Sequence, residues 1–149
     1  MYSFSYVIDS NNRLSDILDF KTIGKVYKRS FLEMHNICFN EQGSYANEDY
    51  GFIMAVKLII QEQEKLGFTD QIKHIKMPTF YQHIDKNSLT YNKNNNFNYS
   101  KRPQGIIING VNAVNIAYKN NVSLQFLLEA YNEIITREYT YLLDAAINQ

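Results

Sequence analysis

The chain has 149 residues, a size expected for one domain, and its 15 basic residues balance its 15 acidic residues. Hydrophobic residues make up 45% of the sequence and charged residues 20%, which is an ordinary globular balance. The zero formal net charge argues against a general nucleic-acid binder and against a polybasic membrane-surface protein. The longest nearly apolar run, Gly51 to Ile60, contains Lys57 and is too short to span a bilayer.

The cysteine content limits the classes of site that the chain can build. One cysteine, Cys38, excludes an intramolecular disulfide framework and a cysteine-based zinc site. We expect Cys38 to be a small core residue. Because no basic-then-apolar leader follows Met1, we also expect a cytoplasmic protein.

The first part of the chain predicts short elements. Residues 1–8 alternate large apolar with small polar side chains, which is typical of a strand. Apolar residues between 14 and 20 follow a short helical pattern. Ser30 and Glu33 have the spacing of a capping box, which predicts a short helix over 31–35.

The clearest predicted helix follows Asn47, a suitable N-cap residue. Glu48 and Asp49 come next, in the first turn, where the helix dipole favours acidic side chains. Apolar residues then recur at helical spacing as far as Gly67, a suitable stop. Residues 72–84 read as extended chain, which gives a mixed order of strands and helices.

The last part of the chain predicts a polar loop and two helices. Residues 87–102 are rich in asparagine and read as a loop. Pro103 can start one helix and Ser123 can cap the next, so that residues 103–149 form an antiparallel hairpin. Two glycines, Gly105 and Gly110, weaken the first of these helices. The second helix carries an apolar stripe that needs burial: Leu124, Leu127, Leu128, Tyr131, Ile134, Ile135, Leu142 and Leu143.

Two short segments carry side chains that can do chemistry. Glu48 and Asp49 lie about 100° apart around the helix axis, so one of them can face a cleft as a general base toward a hydroxyl. The structural alternative is that acids simply favour helix N-termini. Lys25, Lys28 and Arg29 could together hold a diphosphate, and the alternative for them is a solvated basic face.

Other familiar site patterns are missing from the sequence. It contains no phosphate-binding loop, no dinucleotide fingerprint and no nucleophile elbow. His35, His74 and His83 do not form a metal-binding pair, and each is expected to be a surface or a satisfied core histidine.

Three segments occur in a specific order along the chain. Residues 24–39 read GKVYKRSFLEMHNICF, residues 45–59 read YANEDYGFIMAVKLI, and residues 78–90 read PTFYQHIDKNSLT. The order of a Gly-Lys-Val-Tyr-Lys-Arg segment, a Glu-Asp pair at a helix start and an aromatic strand resembles the second half of family 2 glycosyltransferases with the GT-A fold.

This resemblance implies an α/β fold, mixed α+β with a helix-rich C-terminus, that is the acceptor-side part of a GT-A-like fold. Residues 1–102 would form the glycosyltransferase-like region, with the hairpin over 103–149 packed on the same domain. The implied reaction moves a sugar from a nucleotide-diphosphate sugar to an acceptor hydroxyl with inversion.

The resemblance also implies roles for individual residues. Asp49 would be the catalytic base, and Glu48 would support the site or bind the acceptor. His83 stands where the family often has arginine, and it would approach the donor diphosphate or a bound metal. The substrate-binding positions would be Lys25, Tyr27, Arg29, Tyr81 and His83.

Members of the family hold a divalent metal, Mn²⁺ or Mg²⁺, with an Asp-x-Asp motif, and no such motif occurs in this sequence. The family's nucleotide-binding half precedes the segments matched here. We therefore expect the acceptor-side half of a transferase, with a donor-half chain or a second copy of this chain as partner. The alternatives are an inactive remnant that serves as a binding module and a small protein whose hairpin drives oligomerisation.

Overall fold

The computed structural model describes residues 2–4, 26–41, 47–68, 78–81 and 97–147 of the chain. The described elements are two short strands, β1 (Tyr2–Phe4) and β2 (Pro78–Tyr81), and four helices, α1 (Arg29–Met34), α2 (Glu48–Lys65), α3 (Phe97–Lys119) and α4 (Leu124–Ile147).

The fold is all-α, so the predicted α/β class with a GT-A-like architecture is wrong. Helices and the turns beside them supply all the buried core residues in the described part of the chain. The sheet found there consists of β1 and β2, three and four residues long, which pair antiparallel with Tyr2 opposite Tyr81. Two strands of this length cannot form the sheet layer that an α/β domain needs.

Helix α2 lies at the centre of the described core. Between Tyr50 and Ile60 every residue except Lys57 is buried. A helix that is apolar around most of its circumference is stable only when other elements cover it on several sides. Helix α3 packs along α2 and along α4, and the predicted α3–α4 hairpin is confirmed.

Two glycines allow the three long helices to approach closely. A Cβ at Gly51 in α2 would lie 2.5 Å from the backbone oxygen of Asn109 in α3. A Cβ at Gly110 in α3 would lie 2.6 Å from Cγ1 of Ile134 in α4. Gly110 therefore marks a contact between helices. Its low helix propensity would weaken an isolated helix, but packing against α4 outweighs this effect.

Three helices end in the same way, with a residue of positive φ just after the cap. These residues are Asn36, Gly67 and Asn121, with φ values of 52°, 88° and 59°. After each, the amide of the next residue donates to the carbonyl five residues earlier, at 2.9 to 3.1 Å, which is a Schellman motif. Ile37 and Val122 follow two of these turns and are buried. The predicted stop at Gly67 is confirmed.

The helix starts agree less well with the sequence predictions. Helix α1 begins at Arg29, so Ser30 lies inside it, and Glu33 pairs with Arg29 at 2.7 Å instead of closing a capping box. Helix α3 begins at Phe97 and places Pro103 inside the helix. The predicted loop over 87–102 is therefore wrong from residue 97 onward, because its polar composition conceals the first turns of α3.

The apolar stripe predicted on α4 divides into two faces. Leu127 and Ile134 are buried against the other helices together with Ala130. The remaining residues of the predicted stripe are exposed, namely Leu124, Leu128, Tyr131, Ile135, Leu142 and Leu143. Cys38 is also exposed, so its predicted place in the core is wrong.

Candidate functional site

The candidate site lies at the first turn of α2. Asn47 precedes the helix in the left-handed conformation, with φ 60° and ψ 29°, and makes no capping bond through its side chain. Glu48 is exposed and Asp49 is half-buried. Both side chains therefore stand at the positive end of the helix dipole, where acidic residues stabilise a helix.

An aromatic cluster lies one turn further along α2. Phe52 follows Asp49 by three residues and so shares its side of the helix. The Tyr27 ring meets the Phe52 ring edge to face at 5.0 Å, and the Phe39 ring stacks on Phe52 at 4.5 Å. Phe39 remains 45% exposed, which leaves an apolar ring accessible beside Phe52.

Of the predicted site residues, Glu48 and Asp49 lie in the first turn of α2, and Tyr27 contacts Phe52 one turn further along that helix. Arg29 is in a different situation, because its side chain is 90% exposed and is paired with Glu33 on its own helix. Tyr81 belongs to β2, where the structure describes the backbone only. Lys25 and His83 lie outside the described residues, as does His74.

The described residues supply no cluster of ligands for the divalent metal that the sequence resemblance implies. Among the described residues, no group of three or more histidine, cysteine, aspartate or glutamate side chains converges on a point where a metal ion could sit.

A charged network that the sequence did not predict connects α4 to α2 beside the acid pair. The Arg137 guanidinium lies over the Tyr50 ring, 5.1 Å from its centroid, and bonds to Glu133 at 3.3 Å. Glu133 also lies 3.5 Å from the ammonium of Lys57. Burial, with a smaller contribution from Glu133, raises the pKa of Tyr50, so its hydroxyl stays protonated. Glu133 and Arg137 are four residues apart, which is the spacing of an ion pair on one helix, but no local signal places that pair over Tyr50.

The same two helices enclose a shallow groove of about 190 Å³. Polar side chains from α2 (Lys57 and Gln61) and from α4 (Glu129 and Glu133) share its walls with apolar ones. Ligand pockets usually enclose about 300–1,000 Å³, so this groove is too small to enclose most ligands.

A second polar network joins the far ends of three helices. Asn120 donates its amide hydrogens to the carbonyls of His35 and Ile116, at 3.0 and 2.9 Å. Its amide oxygen therefore faces His35 Nδ1 at 2.6 Å and accepts from it. His35 Nε2 is then left to accept from Gln63 at 3.2 Å. The prediction of a satisfied histidine is confirmed for His35, and its role here is structural.

No protein-family model, curated protein or solved structure matches this chain. None of the helices in the described ranges carries an apolar stretch long enough to cross a bilayer. A functional assignment therefore depends on the residues of the candidate site and on the order of the three sequence segments.

Proposed function

We propose that the start of α2 binds the acceptor in an inverting sugar transfer, with Asp49 as the base. The observation that carries this proposal is the contact between Tyr27 and Phe52 at 5.0 Å. It joins the Gly-Lys-Val-Tyr-Lys-Arg segment to the helix that carries the Glu-Asp pair, so two of the three segments of the resemblance meet in space. Because the fold is all-α, the proposal concerns this site and not a GT-A architecture.

The proposed step needs a half-buried carboxylate beside a surface that can hold a sugar. As the acceptor oxygen attacks the anomeric carbon, Asp49 takes the proton from that hydroxyl. The bond between the anomeric carbon and the diphosphate oxygen breaks, and the nucleoside diphosphate leaves with the electron pair. One in-line displacement of this kind inverts the anomeric centre.

Each side chain at the site has a distinct task in this proposal. Asp49 is the base, Glu48 binds an acceptor hydroxyl, and the exposed face of Phe39 packs against the apolar face of the sugar ring. The donor site would come from another chain or domain, and a cytoplasmic location would give access to nucleotide sugars. With a donor site supplied, loss of the Asp49 carboxylate should slow transfer by about 10²–10⁴, the usual contribution of a general base.

Acceptor binding can be tested on the chain itself. We would titrate the ¹⁵N-labelled protein with a panel of common monosaccharides and disaccharides and follow the backbone amides by NMR. The proposal predicts that at least one sugar shifts the amides of residues 47–52 and of Phe39. Phe39→Ala should weaken that binding about tenfold, because it removes the exposed ring.

Phe68→Ala serves as the matched control, since Phe68 is also an exposed phenylalanine but follows the opposite end of α2. It should leave sugar binding unchanged. If no sugar of the panel shifts the amides at the start of α2, or if Phe68→Ala weakens binding as much as Phe39→Ala does, the acceptor-site proposal fails.

A further inference from the structure

Helix α4 carries an apolar face that the described core does not use. We call it the outer stripe of α4. Its six side chains are between 39% and 69% exposed: Leu124, Leu128, Tyr131, Ile135, Tyr139 and Leu142. The stripe contains no charged residue, and exposed apolar surface of this extent on one helix usually marks an interface.

The spacing of the outer stripe is that of a helix–helix seam. Successive members are three or four residues apart, so the stripe runs nearly parallel to the helix axis. A face of this kind matches the surface of another helix, where side chains at such positions interlock as in a coiled coil.

Five of the six members of the outer stripe, from Leu128 to Leu142, are also symmetric about Ile135. Leu128 and Leu142 lie seven residues to either side of it, and Tyr131 and Tyr139 lie four residues to either side. In a two-fold dimer, if one residue of the first copy contacts a second residue of the other copy, then the second residue of the first copy contacts the first residue of the other. Two antiparallel copies of α4 that cross at Ile135 would therefore place leucine opposite leucine and tyrosine opposite tyrosine.

The polar residues beside the stripe follow the same symmetry. Asn132 and Glu138 lie three residues to either side of Ile135. In the antiparallel pair the Asn132 amide of one copy would face the Glu138 carboxylate of the other and donate to it. A parallel pair would instead hold Asn132 of one copy and Glu138 of the other about 9 Å apart along the helix axis, too far for this bond to form.

The exposed area is large enough for a stable dimer. The accessible parts of the six side chains and of the neighbouring Leu143 and Ile147 amount to about 700 Å² per chain, so a dimer would bury roughly 1,400 Å². This lies within the range of about 1,200–2,000 Å² seen for stable protein–protein interfaces. We infer that the outer stripe is the self-association face of this protein, occupied by α4 of a second copy running antiparallel. This inference is independent of the proposed acceptor site.

The oligomeric state can be measured with a charge placed on the stripe and a matched charge placed off it. Ile135→Glu puts a carboxylate on the proposed two-fold axis, and Thr136→Glu puts one on the next exposed residue, outside the stripe. The mass of the natural chain by sedimentation equilibrium should be twice 17.5 kDa. Ile135→Glu should weaken association at least 100-fold, while Thr136→Glu remains dimeric.

Both substituted residues are exposed, and circular dichroism should show unchanged helix content in each variant. A monomeric natural chain would overturn the inference. An Ile135→Glu variant that keeps its helix content and is still a dimer would also overturn it. If Ile135→Glu unfolds, the more conservative Ile135→Asn replaces it, with the same expected weakening of association.

The orientation of the two helices is tested by crosslinking. Leu128→Cys and Leu142→Cys are made in a chain whose exposed Cys38 is replaced by serine. The two variants, mixed and oxidised, should form a disulfide-linked dimer, while each variant oxidised alone should form little. Crosslinking of either variant with itself, at the efficiency of the mixture, would contradict the antiparallel arrangement.

Discussion

Glu62 links the end of α2 to the start of α4 through one short hydrogen bond. The backbone amide of Ser123 donates to its carboxylate at 2.7 Å. This amide, with a smaller contribution from the Ser123 hydroxyl, lowers the pKa of Glu62 below its usual value of 4.5. The sequence suggests Ser123 as the cap of α4, but it does not indicate that a carboxylate from a distant helix would accept from its amide.

We predict that Glu62 makes the stability of the fold depend on acidic pH. Because its pKa is lower in the folded chain than in the unfolded chain, its contribution is present above pH 4.5 and is lost as the pH falls through the folded pKa. Below pH 5, the melting temperature of Glu62→Gln should therefore fall less with decreasing pH than that of the natural chain. Glu64→Gln, an exposed control on the same turn, should leave that profile as it is. Equal profiles for the natural chain and Glu62→Gln would show that the bond does not persist in solution.

At the scale of elements, the contact between α2 and α3 depends on the missing side chain of Gly51. Alanine there would place its Cβ 2.5 Å from a backbone oxygen of Asn109, which cannot rotate away, so the helices must separate. We predict that Gly51→Ala lowers the free energy of unfolding by about 1–3 kcal/mol, despite the better helix propensity of alanine. Urea denaturation measures this loss.

Gly67→Ala provides the contrast, because a Cβ at Gly67 meets open space but the residue has φ +88°. It should cost about 1–2 kcal/mol through backbone strain and leave the NMR signals of α3 unchanged. Gly51→Ala should shift the signals of residues near Asn109. A variant Gly51→Ala as stable as the natural chain would show that α2 and α3 do not touch at this point.

The two leucines in the middle of α4 test how the helix is oriented. Leu127 is 6% exposed and Leu128 is 54% exposed, although the sequence pattern predicts burial of both. Leu127→Ala should lower the free energy of unfolding by about 2–5 kcal/mol, because it leaves a cavity in the core. Leu128→Ala should change it by less than about 1 kcal/mol when measured at a concentration too low for self-association. Equal losses for the two variants would mean that α4 is rotated.

The sequence predicts the long helices well where local signals are strong. Apolar residues at helical spacing predict the body of α2, and Gly67 predicts its end, because a helix stop needs only the backbone freedom of one residue. Ser30 is misleading, since a capping box forms only if that residue stays outside the helix, and α1 already begins at Arg29. Pro103 is misleading in a similar way, because the turns before it are too polar to show a periodic pattern.

The fold class was wrong for a reason of larger scale. A local pattern predicts one strand at a time, whereas a sheet layer requires several strands from distant parts of the chain, and β1 and β2 supply only a short ribbon. The position of Asp49 at a helix start follows from local sequence. Its neighbours do not, because Tyr27 reaches Phe52 and Arg137 reaches Tyr50 only through the folded arrangement.

At the scale of the whole molecule, the candidate site lies at the start of α2, and the helical core supports it. An acid in the first turn of a helix contributes about 0.3–1 kcal/mol through the dipole. If Asp49 serves the site, its removal should cost no more stability than this and should still slow sugar transfer by about 10²–10⁴. Asp49→Asn is the suitable variant, because it keeps the shape of the side chain and removes the charge.

The most direct test measures two quantities on the same samples. They are the melting temperature and the affinity for a sugar that shifts the amide signals at the start of α2. Asp49→Asn should weaken sugar binding at least tenfold and lower the free energy of unfolding by at most about 1 kcal/mol. Glu64→Gln, an acid at the other end of α2, should change neither. Unchanged sugar binding in Asp49→Asn, together with a large fall in melting temperature, would assign Asp49 to the helix start and contradict the proposed function.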